Sequence, residues 1–208
     1  MNLMGLSLSM QGAVSQGVLW GIMVLGVYMT YKILNIADLT VDGSFALGGC
    51  VCAVLIMNFN WNPWIALLAA TLAGAAAGAV TGFLHTVFEI PAILAGILTQ
   101  IALWSVNLRV MGKSNIPLLN KDNIFTKFVT LTGWKQSQVS LVVGIIIAII
   151  VICILYWFFG TEIGSALRAT GNNSDMIRAL GVNTKSTKMM ALMISNGLVG
   201  LSGGLVCQ

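Results

Sequence analysis

The sequence predicts an all-α, polytopic bundle of transmembrane helices. Three observations carry that prediction. Hydrophobic residues fill 58% of the 208 positions and charged residues only 8%, more apolar surface than a soluble core of this size absorbs. The run 139–159 holds no charge in 21 residues, enough for one helical crossing of a hydrocarbon layer roughly 30 Å thick. Gly74, Gly78 and Gly82 recur every fourth residue beside Ala66, Ala70, Ala73 and Ala77, a spacing that lets helices approach closely in lipid. Backbone groups in lipid must bond within their own segment, and runs of this length favour helices over barrel strands.

Taken in order, the apolar runs are 14–34, 43–59, 63–84, 91–110, 139–159 and a last one from Met189. That gives about five to six spans, with one broken or re-entrant element near 35–44. Residues 1–13 are uncharged and short, either an interfacial turn of helix or the remnant of an earlier crossing. Gly197, Gly200, Gly203 and Gly204 form a second small-residue seam in the last run. Such seams imply several packed helices. The chain ends inside an apolar run, at Leu205-Val206-Cys207-Gln208, so a domain incomplete at its C-terminus is expected.

The formal net charge of +4 is a topological signal. No basic face stands beside exposed aromatics, so nucleic acid is not an expected partner. The charge rule gives a conflict, because 109–135 and 160–188 are both basic and one span joins them. Cys50 and Cys52 diverge by about 200° on a helix; with Cys153 and Cys207 they read as buried free thiols, not as a metal site. Gly112-Lys113-Ser114 resembles the end of a phosphate loop, but Asn107 stands where the first glycine belongs. No metal, no cofactor and no catalytic group is expected, so the chain is not read as an enzyme.

Two stretches carry polar chemistry. In the first, Asn35, Asp38, Thr40, Asp42 and Ser44 interrupt apolar sequence. Ionisable groups at membrane depth cost about 2.5–3.5 kcal/mol each on insertion scales. The stretch is either an interfacial turn with a capping residue or a broken element beside a transport path. Downstream of Pro91, Thr99, Gln100 and Asn107 are polar positions within one span. Gln100 and Asn107 share a helical face, to line a watery path or to bond a neighbouring helix. His85 reads as structural.

The second stretch, 162–183, is polar and charged between two apolar runs. Gly164 and Gly171 are expected to bracket a short helical turn. Asn172, Asn173 and Ser174 are start signals and Gly181 a stop signal for a helix over 175–180. That helix offers Met176, Ala179 and Leu180 as apolar positions, with Asp175 and Arg178 for polar contacts. Its few bulky residues argue against deep insertion into headgroups and for a knob in a partner's groove.

These residues resemble the permease subunits of ATP-binding-cassette importers of the branched-chain amino acid and ribose type. The pattern runs from Gly164-x-x-x-Arg168, through Ala179-Leu180-Gly181-Val182-Asn183 and Lys188-x-x-Ala191, to Gly200-x-x-Gly203. Asp38-Leu39-Thr40-Val41-Asp42-Gly43-Ser44 is similar to a further family element, and the chain looks closest to a branch that handles amino acids, aromatic ones among them. The resemblance implies one permease domain over 1–208 and a cytoplasmic coupling-helix loop over 162–183. Arg168, Asn173, Ser174, Asp175, Met176, Arg178, Ala179, Leu180 and Gly181 would meet a cytoplasmic ATPase subunit, where nucleotide is hydrolysed. It further implies a second permease protomer, identical or not, an external substrate-binding protein, the bacterial inner membrane and alternating access for a small polar solute. Placing 162–183 inside puts 35–42 and 85–90 on the same side, with 60–62 and 111–137 outside. The alternative is a secondary transporter or channel that uses Asp38 or Asp42 for ion or proton coupling.

Overall fold

A computed structural model describes residues 3–113, 116, 118, 123–133 and 136–208. No strand occurs among the described residues. Helix α1 spans Leu3–Tyr28 and runs on through a wider π turn over Met29–Ile33. Residues 34–40 are irregular. Then follow α2 (Val41–Phe59), α3 (Pro63–Thr86), α4 (Ala92–Met111), the short α5 (Ile124–Thr132) and α6 (Gln136–Gly160). The last three are α7 (Glu162–Asn172), α8 (Ser174–Ala179) and α9 (Thr184–Cys207). Among the described residues six helices are long and apolar enough to cross a membrane, the first counted over Ser9–Ile33.

Several expectations shift. The uncharged leader is no separate turn, because α1 is already helical from Leu3. The last span begins at Thr184, not Met189, and reaches 24 residues. Thr184-Lys185-Ser186-Thr187-Lys188 reads as loop by hydropathy, yet a helix that rises out of the lipid needs no apolar side chains there. The short helical turn expected between Gly164 and Gly171 is an 11-residue helix, α7, with both glycines inside it. The helix expected over 175–180 spans Ser174–Ala179. Ser114, Lys121, Asp122 and Lys135 lie outside the described residues; Gly112, at φ +65, ends α4.

Helix α9 is the centre of the bundle. A Cβ on Gly78 would run into the carbonyl oxygen of Leu192, and one on Gly200 would stand 2.6 Å from the carbonyl oxygen of Ala70. Only the missing side chains let α3 and α9 lie this close. On another side of α9, Gly48 of α2 abuts Gly200. Hydroxyls tie α1 to α9: Ser195 Oγ donates to Gly26 O and Ser202 Oγ to Leu19 O, each at 2.7 Å. Helix α6 packs on α1 through Val139, Val143, Ile147 and Val151 against Leu19 and Ile22. Much of its remaining surface is bare: Ile149, Ile152 and Ile154 are half exposed or more, as befits a helix that meets lipid. The cysteines carry free thiols, with Cys52 buried and Cys153 facing outward on α6.

Contacts sort the connections into two ends. Gly171 of α7 lies against the carbonyl of Ile33, and Lys185 Nζ stands 3.4 Å from Glu89 Oε1. Residues 34–40, 87–91 and 161–183 therefore share one end. At the other, Gln208 reaches Pro63 O at 3.4 Å, and its own carbonyl accepts from Asn123 Nδ2 at 2.7 Å. This is the grouping expected from counting spans.

Candidate functional site

The polar stretch 162–183 is built almost wholly from local bonds. Thr161, in extended backbone, caps α7, its Oγ1 accepting from Gly164 N at 3.4 Å. One stripe of α7, made of Gly164, Leu167 and Thr170, is buried. Leu167 is fully enclosed among Met29, Leu34, Ile36 and Ala191, so α7 is pinned under the junction of α1 and α2. Asn173 then leaves helical geometry and caps α8, its Oδ1 accepting from Asp175 N at 3.1 Å and Met176 N at 3.0 Å. Such a cap holds a helix too short to hold itself. Gly181, at φ +88, turns the chain out of α8 in the left-handed conformation that glycine adopts without strain. Asn183 caps α9, accepting from Ser186 N at 3.3 Å.

The structure gathers 173–181 into one exposed knob. Asp175, Arg178 and Ala179 face outward, and Met176 and Leu180 are 58% and 68% exposed. Ser174 is half-buried and begins α8. Ile177 alone of α8 is buried. Sequence reasoning missed this anchor, since in a six-residue helix that also carries Met176 and Ala179 no period singles out Ile177. Arg168 does not join the knob: its Nη2 donates to Phe159 O at 2.8 Å, back at the end of α6.

The other polar stretch is closed by distant partners. Asn196, fully buried in α9, donates from Nδ2 to Asp38 Oδ2 at 2.6 Å and to Leu192 O at 3.1 Å. Ser44 Oγ donates to Asn196 Oδ1 at 2.6 Å. Asp38 Oδ1 accepts from Thr40 N at 2.9 Å. Thr40 Oγ1 meets Thr81 Oγ1 at 2.8 Å, and Thr81 also reaches Ala77 O at 3.3 Å. Every polar atom of Asn196 is thus used, which is what burial demands. Asn196 and Thr81 were not among the expected residues; each sits within a largely apolar run, Asn196 beside Ser195.

The remaining predicted positions lie apart. Asn35 is exposed at φ 56, a turn conformation that asparagine tolerates. Asp42 is exposed in the first turn of α2. On α4, Thr99 Oγ1 bonds its own helix at Ala95 O, 2.9 Å away. Gln100 is half-buried. Asn107 is buried and turned to α2, with Nδ2 at 3.5 Å from Gly43 O and Oδ1 without a hydrogen-bond partner. His85 Nδ1 lies 2.9 Å from Ile90 O and braces the 87–91 turn. Among the described residues no group of His, Cys, Asp or Glu is placed to hold a metal.

The family model for the permease component of branched-chain amino acid transport systems matches residues 9–208. The chain is 43% identical over 204 residues to a tyrosine transport system permease protein of Clostridioides difficile, covering 96% of this chain and 65% of that protein. It is 35% identical over 196 residues to an uncharacterized protein of Rickettsia prowazekii, covering 94% of this chain and 66% of that one. It is 28% identical over 184 residues to a ribose import permease protein of Escherichia coli, covering 86% and 56%. The chain thus spans just under two thirds of the first two relatives. No solved structure matches it.

Proposed function

This chain belongs to the family of branched-chain amino acid transport system permeases, and from that premise we propose that it is a membrane-spanning subunit of an ATP-driven importer. It carries a small polar solute across the inner membrane by alternating access, and it hydrolyses nothing itself. An amino acid is the favoured solute, an aromatic one in particular, in keeping with the name of the tyrosine permease relative. The partners are a cytoplasmic ATPase subunit, a second permease protomer of the same or another chain, and an external substrate-binding protein.

One observation carries this reading: a six-residue helix, α8, with its charged and apolar side chains facing solvent and only Ile177 turned inward. A surface helix that keeps Met176 and Leu180 in water has a partner groove as its natural resting place. Residues 162–183 then form the cytoplasmic coupling loop, with Asn173, Ser174, Asp175, Met176, Arg178, Ala179, Leu180 and Gly181 at the contact. Arg168 supports it from behind by fastening α7 to α6. The solute path draws on Asn35, Asp38, Thr40, Asp42, Ser44, Thr99, Gln100 and Asn107. The orphaned, buried Oδ1 of Asn107 supports a place there for water or a solute donor.

The test uses the full-length protein with its ATPase in proteoliposomes. Asp175→Arg and Arg178→Glu should each insert normally and lose solute-stimulated ATP hydrolysis and uptake. Uptake at the unaltered rate in both variants would sink the proposal.

A further inference from the structure

The junction of α6 and α7 forms an open cleft of about 490 Å³ between Tyr156, Trp157 and Arg168. It lies where the apolar surface of α6 ends and the polar α7 begins. Tyr156 and Trp157 are 85% and 73% exposed. Amphipathic rings at the end of a spanning helix settle at headgroup level. Arg168 is held at the cleft by its bond to Phe159 O, which uses one of the five guanidinium donors and fixes the direction of the rest. Among the described residues the one ion pair is Lys185–Glu89, so no carboxylate neutralises Arg168. Glu162, the nearest acid along the chain, sits six positions earlier, about 120° away around the helix, and does not line the cleft.

We propose that this cleft binds the phosphate of an anionic phospholipid headgroup. The remaining guanidinium donors take the phosphate oxygens, a match of planar fork to anion. Trp157 and Tyr156 lie along the glycerol and upper acyl region. The consequence is that the base of α7 is moored to lipid of one charge class. The inference rests on the membrane crossing of α6 and not on transport.

The experiment reads lipid contact at Trp157. Full-length protein is placed in vesicles of phosphatidylcholine with a minority of phosphatidylglycerol, the brominated chains carried by one lipid or the other. The fluorescence lost on Trp157→Phe isolates that ring. Per mole, brominated phosphatidylglycerol should quench it about fivefold more than brominated phosphatidylcholine, the ratio that about 1 kcal/mol per basic residue gives. Arg168→Gln should erase the preference and Arg168→Lys keep part of it. Trp104, 67% exposed on α4, serves as the control and should show none. Equal quenching by both lipids, or a preference that survives Arg168→Gln, overturns the proposal. So does loss of the preference on adding inorganic phosphate, which would make free phosphate the ligand, or quenching by neither lipid because a protein covers the cleft. If Arg168→Gln fails to insert, the contrast between Trp157 and Trp104 in the unaltered protein decides alone.

Discussion

Two irregular stretches break this bundle at the same end, and they are held in opposite ways. The knob over 173–181 is fastened by bonds two or three residues long, from Asn173 to Asp175 and Met176. The break over 34–40 is fastened across the whole chain, with Asp38 bonded to a partner 158 positions away and Ser44 to one 152 away. The first exposes nearly all its side chains; the bonds that close the second run through Thr40, Ser44 and Asn196, all fully buried. Locally bonded structure can move as a unit without disturbing the bundle. Structure closed by distant partners cannot shift unless several helices separate. One stretch is suited to be pushed and the other to stay put.

The contrast is open to attack, and the strongest blow falls on the fixed stretch. Asn196→Leu takes the donor from Asp38 Oδ2 and the acceptor from Ser44 and should cost about 2–4 kcal/mol, read as a lower unfolding temperature in detergent. If the temperature holds, the network is not what fixes the break. Asn173→Ala should cost about 1 kcal/mol, confined to the knob. Hydrogen exchange should quicken over 173–181 and stay unchanged over α9; a drop in global stability would show that the knob is not a local unit. Asp175→Arg should alter stability by less than about 0.5 kcal/mol while coupling to the ATPase is lost. Lys185→Ala removes an ion pair whose side chains are 55% and 78% exposed. Its effect on melting should be the smallest and should vanish in salt.

The spans were legible because lipid leaves a plain trace: unbroken apolar runs of fixed length. What hydropathy measures is contact with lipid, so it said nothing of Thr184-Lys185-Ser186-Thr187-Lys188, a helical turn that rises past the apolar layer. The caps at Asn173 and Gly181 could be read because capping depends on neighbours in sequence. Asn196 could not, since its meaning lies in Asp38 and Ser44, far off along the chain. Ile177 and Leu167 were hidden for a related reason. Their burial depends on where α7 and α8 dock, which their own neighbours do not state.

The contact between Gly171 and the carbonyl of Ile33 gives the polar loop a hard stop. Backbone meets backbone there, with no compressible side chain between them to absorb a displacement. The knob can thus shift on its own local bonds, but α7 behind it cannot close further on Ile33. A methyl group at 171 would act as a shim in that joint, holding the two apart before any load is applied.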